Sequence, residues 1–102
     1  MFHRVYALSF ADLSTAKLAA SFFAEKIGED ASRLGMEQVD VQIDAEGGVV
    51  VMASFNKVSG VKRFEKFGDM LVEELRKSCP CKSSKFSTIT TFRYNAKTTE
   101  TA

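Results

Sequence analysis

GGVVVMASF, residues 47–55, is the stretch on which the predicted fold depends. Its apolar side chains follow one another without the polar alternation of a strand that has one wet face. Because successive strand residues point to opposite faces, an uninterrupted apolar run needs cover on both faces. The stretch therefore predicts a central β-strand, and the rest of the chain must supply what covers it.

The preceding segment predicts a neighbouring strand. In residues 37–44, EQVDVQID, the apolar side chains of Val39, Val41 and Ile43 alternate strictly with polar ones, which indicates a strand with one wet face. Residues 45–47 end on a glycine and form a short turn. We therefore expect a hairpin that joins residues 37–44 to the central strand.

Two strand and helix pairs complete the pattern. Residues 2–10 predict a second central strand, because both of their alternating sets are partly apolar. Apolar residues at helical spacing then run to about residue 34, with Asp12 or Ser14 as the N-cap. A second helix is expected between Ser59, its predicted cap, and Pro80, and residues 86–94, FSTITTFRY, predict the last strand.

This order predicts an α+β fold, the ferredoxin-like βαββαβ plait, with a four-stranded antiparallel sheet and two helices on one face. In that topology the first and third strands are central, as their side chains also indicate. A chain of 102 residues can bury one core without disulfides or metal. We expect one domain over residues 1–94 and a polar, disordered tail over residues 95–102.

Composition excludes several classes of protein. No apolar run approaches the roughly 18 residues of a membrane span, and the N-terminus lacks the pattern of a signal peptide. The sequence therefore predicts a cytoplasmic protein with no membrane partner. The overall charge is +1, but basic residues concentrate after residue 56. A basic patch is predicted that comprises Arg63, Lys66, Lys77, Lys82 and Lys85.

No catalytic residue, metal or cofactor is predicted. Cys79 and Cys81 supply only two of the four ligands of a structural zinc site, and His3 is expected far from them, as a surface residue. The glycines at 47 and 48 precede no helix, so they do not form a phosphate loop.

The open face of the sheet is the predicted binding surface. The small side chains of Val5 and Ala7 are expected beneath the helices, which directs the larger side chains of the same strand outward. An apolar face of that size exceeds what a monomer usually exposes. The predicted binding face comprises Arg4, Tyr6, Leu8, Phe10, Val50 and Met52.

Three kinds of partner suit such a face, and the C-terminal tail or the first helix of the same chain could cover it instead. The leading prediction is a small non-enzymatic interaction or regulatory module, of a phage or plasmid accessory type, which forms a homodimer or binds a protein partner. Residues 5–10, VYALSF, also resemble the first hexamer of RNA-recognition motifs, with Tyr6 at the stacking position, which implies a nucleic-acid-binding domain. The third alternative is a dimeric α/β barrel that binds a small ligand or acts as an enzyme.

Overall fold

The computed structural model describes residues 1–96, and it contains six regular elements. They are β1 (Phe2–Ser9), α1 (Leu13–Asp30), β2 (Gln38–Ile43), β3 (Gly48–Phe55), α2 (Val58–Ser78) and β4 (Lys82–Ile89). The strands pair antiparallel in the order β2-β3-β1-β4. This confirms the ferredoxin-like βαββαβ plait with β1 and β3 at its centre.

The predicted disordered tail, residues 95–102, falls largely outside the described residues, which include only its first two positions. Neither helix within residues 1–96 combines the length and the hydropathy that a bilayer span requires.

Local signals in the sequence fix the β2–β3 hairpin and the start of α1. Asp44 Oδ1 accepts hydrogen bonds from the backbone N–H groups of Glu46 and Gly48 at 2.8 and 2.9 Å. Between them Gly47 adopts a φ of 98°, a conformation that glycine reaches without strain. Asp12 caps α1 by accepting a 2.8 Å hydrogen bond from the Thr15 N–H. The hairpin turn and the first cap are therefore as predicted.

Three elements differ from the prediction in their bounds. The first helix ends at Asp30, and a turn fills the interval to Gly35. The second begins at Val58 with no side-chain cap from Ser59 or any other residue. The last strand spans Lys82–Ile89, so it begins four residues and ends five residues earlier than expected, and it pairs with β1 along its whole length. Every residue of β4 is exposed, so hydrophobic patterning could not mark where it starts.

The predicted orientation of β1 is wrong. The side chains of Arg4, Tyr6, Leu8 and Phe10 are 8%, 2%, 3% and 5% exposed, and they lie on the face that the helices cover. The open face instead carries the other alternating set of β1, including Val5, opposite Met52 of β3.

Space on α2 explains this reversal. A Cβ atom on Gly68 would lie 2.5 Å from Tyr6 Oη and 2.7 Å from Tyr6 Cε2. Because Gly68 has no side chain, the phenol ring fits between the sheet and the helix. The large side chains of β1 can therefore pack beneath α2.

Gly68→Ala is expected to lower the free energy of unfolding by about 1–2 kcal/mol, because the added methyl group displaces the Tyr6 ring. Urea denaturation measures this change. The control is Gly28→Ala on α1, where a Cβ would meet nothing within 4 Å and where alanine should stabilise the helix by up to about 1 kcal/mol. Equal effects of the two substitutions would contradict the close packing of Tyr6 on α2.

Candidate functional site

A buried polar network joins β1 to α2. The Tyr6 hydroxyl donates to Asp69 Oδ1 at 2.7 Å, and Arg4 donates to the same oxygen at 3.3 Å. Arg4 Nε also donates to the Tyr6 hydroxyl at 3.3 Å, with the guanidinium carbon 5.1 Å from the centre of the Tyr6 ring. Arg4, Tyr6 and Asp69 therefore form a closed triangle, which we call the Arg–Tyr–Asp network.

Residues of α2 and β4 surround this network. Lys85 Nζ donates to the second oxygen of Asp69 at 3.0 Å. The guanidinium of Arg4 lies 3.8 Å from Glu65 Oε2 and donates to Ser87 Oγ at 3.2 Å. Within residues 1–96, no buried side-chain nitrogen or oxygen atom lacks a hydrogen-bond partner. Such a fully satisfied network holds its members in fixed positions.

The network determines the protonation of its members. Burial alone would raise the pKa of Asp69, but hydrogen bonds from Tyr6, Lys85 and Arg4 outweigh burial and hold this pKa below its usual value. Burial raises the pKa of Tyr6, opposed by the hydrogen bond from Arg4 and assisted by the carboxylate of Asp69. At neutral pH the site therefore contains an ionised carboxylate and a protonated phenol.

A cavity of about 320 Å³ opens onto the network between α2 and β4. We call it the α2 cleft. It is lined by Tyr6, Asp69, Val72, Glu73, Arg76, Ser83, Ser84 and Lys85. Its volume falls at the lower end of the range for ligand pockets, so it suits a small organic molecule.

Arg76 differs from the neighbouring cations of the α2 cleft in its charge pairing. Its guanidinium donates to Ser83 Oγ at 3.3 Å. Within the part of the chain that the structure describes, no carboxylate lies within 4 Å of it, whereas Lys85 and Arg4 are both paired with Asp69. Arg76 therefore has charge and hydrogen-bonding capacity available for a ligand.

The open sheet face carries a second polar group, centred on His3. His3 is 9% exposed, which corrects its prediction as a surface residue. Its Nδ1 lies 2.8 Å from Ser54 Oγ, and its Nε2 lies 2.6 Å from Thr90 Oγ1. Burial, the N-terminal ammonium and Arg93 lower the pKa of His3, so the imidazole is neutral at pH 7.

Acid should destabilise the protein through His3. Because the folded-state pKa lies below the ordinary value of 6.5, the unfolded chain binds the proton more readily. The stabilising contribution is complete above about pH 6.5 and declines as the pH falls through the folded-state value. Urea midpoints should therefore decrease between pH 7.5 and pH 5 in the wild type, and less so in His3→Gln. The same decrease in both proteins would contradict this assignment.

The other predicted site residues are dispersed. Val50 and Met52 lie on the open face, as expected, opposite Ala7 and Val5 of β1; their role in binding stays a prediction. The predicted basic residues do not form one cluster, since Arg63 and Lys77 lie about 21 Å apart along α2 at 1.5 Å per residue. Arg63 lines a separate cavity of about 290 Å³ near the start of α2.

Of the predicted basic residues, Lys85 lines the α2 cleft. Lys82, Lys66 and Lys77 are exposed on β4 and α2. Sequence reasoning missed Asp69, Arg76 and the two serines of the cleft. One signal was present: Glu65, Asp69 and Glu73 recur every four residues, which places three carboxylates in one row beside the apolar stripe of α2.

Comparisons with known proteins support the fold. No protein-family model matches the sequence, and no curated protein matches it. Among solved structures, the chain resembles a proposed antibiotic biosynthesis monooxygenase from Deinococcus radiodurans, with a TM-score of 0.75, 11% identity, and coverage of 96% of this chain and 100% of that one.

A dimeric ferredoxin-like protein from an uncultured marine organism gives a TM-score of 0.68 and 13% identity over 92% of this chain and 97% of that one. An antibiotic biosynthesis monooxygenase gives a TM-score of 0.61 and 13% identity over 86% of this chain and 97% of that one. Identities this low establish a common fold and no more.

These neighbours overturn the main functional prediction. The predicted non-enzymatic interaction module is wrong, because the solved structures that share this fold include proteins described as monooxygenases. The burial of Tyr6 against α2 also removes the stacking residue on which the nucleic-acid alternative depended.

Proposed function

We propose that the chain is one subunit of a dimeric α/β barrel that binds a small organic carboxylate in the α2 cleft. The observation that carries this proposal is the Arg–Tyr–Asp network at the cleft, together with Arg76, which no carboxylate within residues 1–96 neutralises.

Preorganisation supports a binding role. The hydroxyl of Tyr6 and the carboxylate of Asp69 are fixed by several hydrogen bonds each, so a ligand need not order them. Fixed polar groups bind with a smaller entropic cost than mobile ones. The network would therefore act as a rigid polar wall against which one end of the ligand rests.

The guanidinium of Arg76 indicates which class of ligand the α2 cleft would bind. Arg76 presents planar donors that match a carboxylate in a bidentate manner, and the hydroxyl group of Ser83, which accepts from Arg76, lies at the same cavity. Glu73 lines it as well, so a cationic ligand is the alternative that an experiment must distinguish.

The open face supports the dimer. Its central rows contain Val5, Ala7, Val50, Met52 and Phe86, and of these Val50 and Phe86 are 39% and 48% exposed. An apolar sheet face in this fold is suited to packing against an identical face. The dimeric neighbour with the same topology agrees with this arrangement.

Calorimetric titration tests the ligand class with three molecules of similar size: benzoate, benzyl alcohol and benzylamine. Benzoate is expected to bind with a Kd of about 1 mM, which is typical of a fragment of this size. Arg76→Gln should weaken benzoate binding about tenfold or more, because it removes a charged hydrogen-bond donor.

The matched control is Arg63→Gln, which changes another arginine of α2 that lines a different cavity and should leave the affinity for benzoate unchanged. Preferential binding of benzylamine, or equal losses in the two arginine variants, would contradict the proposed carboxylate site.

A further inference from the structure

We infer that residues 91–96 form an arm that packs on the open sheet face of a second copy of the chain. This inference rests on the dimer of the proposed function and goes beyond it, because it assigns an intersubunit role to a segment that no site described above uses.

The base of the arm is fixed on its own subunit. The backbone N–H of Thr90 donates to the carbonyl of Met1 at 3.0 Å, and Thr90 Oγ1 lies 2.6 Å from His3 Nε2. Beyond this point residues 91–96 belong to no helix or strand and are exposed throughout. The chain therefore leaves the sheet at a defined position and direction.

The side chains of the arm are unusual for an exposed segment. Phe92 and Tyr94 are 82% and 78% exposed, whereas Tyr6, Phe10, Phe23, Phe55 and Phe64 are at least 95% buried. In extended backbone, Phe92 and Tyr94 point to one side and Arg93 to the other. One aromatic side and one polar side are typical of a segment that has a single covered face.

The area of the open face indicates why a dimer would need the arm. Four strands about 4.8 Å apart and about eight residues long give this face a footprint of about 500 Å². Specific dimers bury about 800 Å² per partner. Two aromatic side chains bury about 150–250 Å² each, so the arm is large enough to supply the whole difference of about 300 Å².

A second copy is the occupant that the chain itself favours. The arm continues from β4, which contributes Phe86 to the open face, so the arm and the sheet would form one continuous interface. Six extended residues reach about 20 Å, enough to cross the four strands of a partner. Val50 and Phe86, which are 39% and 48% exposed, and the half-buried Met52 supply the surface on which the aromatic rings would lie.

The test compares dimer affinity by sedimentation equilibrium. The double variant Phe92→Ser with Tyr94→Ser should raise the dimer Kd about 100-fold, because buried aromatic anchors dominate such interfaces. The control is Leu18→Ser with Met70→Ser, which removes two large side chains that are 69% and 56% exposed on the helices and should leave the Kd unchanged. Circular dichroism verifies that both variants stay folded.

Three results would overturn the inference. If the Phe92→Ser and Tyr94→Ser double variant dimerises as tightly as the wild type while Val50→Asp prevents dimerisation, the proposed role of the arm is wrong and the sheet-to-sheet dimer is retained. If the wild type is monomeric at about 1 mM, the arm and the dimer are both wrong. Photocrosslinking of Phe92→p-benzoylphenylalanine in mixed ¹⁴N and ¹⁵N dimers is expected to join the arm to the partner's β1 or β3; crosslinks confined to one chain would contradict it.

Discussion

Asp69→Ala is expected to lower the free energy of unfolding by about 2–3 kcal/mol. Removal of the carboxylate leaves the guanidinium of Arg4, which is 8% exposed, with the more distant Glu65 at 3.8 Å as its one anionic partner among the described residues. It also removes the nearer acceptor of the Tyr6 hydroxyl, which keeps only the longer hydrogen bond to the Glu65 carbonyl at 3.4 Å. A buried charge that loses its partner is costly, and the partial exposure of Asp69 places the expected loss below the largest values of this kind.

The control is Asp30→Ala, which removes the half-buried partner of the exposed Arg33 at 3.1 Å and should change stability by no more than about 0.5 kcal/mol, because the cation stays solvated. A double-mutant cycle with Arg4→Met should show that the two losses are not additive, because both variants break the same contact. Additive losses, or an Asp69→Ala effect as small as the control, would show that the network does not act as a unit.

Val50→Asp is expected to weaken dimerisation about 1,000-fold. Its side chain lies on the open face opposite Ala7 and Gln42, and a twofold dimer would bury two unpaired carboxylates there. Because Val50 is 39% exposed in the single chain, the fold itself should tolerate the substitution.

Sedimentation equilibrium measures the effect, and Met70→Asp on the exposed side of α2 provides a control with the same added charge. The control should dimerise as the wild type does. A Val50→Asp protein that remains dimeric would exclude the open face as the interface, whatever the behaviour of the arm.

Much of the fold could be predicted because local signals and burial agree. The uninterrupted apolar run of β3, the alternation of β2 and the turn at Gly47 fix the hairpin, and a central β1 then leaves one economical topology. The start of α1 follows from a single side chain, Asp12. These features depend on residues close in sequence.

The face of β1 could not be predicted from its own residues. Both alternating sets of β1 are partly apolar. Which set faces the helices depends on the room that Gly68, about 60 residues later in α2, leaves for the Tyr6 ring. The boundary of β4 was missed for a related reason, since an edge strand exposed on both faces has no periodic pattern. In both cases, contacts between residues far apart in the sequence determine the structure.

The candidate site was only partly visible in the sequence. The sequence pointed to Arg4 and Tyr6, but on the wrong face, and their partner Asp69 lies in a row of helix carboxylates that the helical spacing indicates as solvated. A charged residue that is buried beneath a helix is rare without a partner, and sequence alone did not reveal that Arg4 had one. The pairing across β1 and α2 joins residues 65 positions apart.

The most direct test of the central claim is a map of amide chemical shifts in ¹⁵N-labelled protein titrated with benzoate. The account predicts that the largest changes occur at the α2 cleft, at Asp69, Arg76, Ser83 and Ser84, and that Arg76→Gln raises the benzoate concentration at which they are half complete about tenfold or more. Largest changes around Arg63, or on the open face at Val50 and Met52, would contradict a carboxylate site in the α2 cleft.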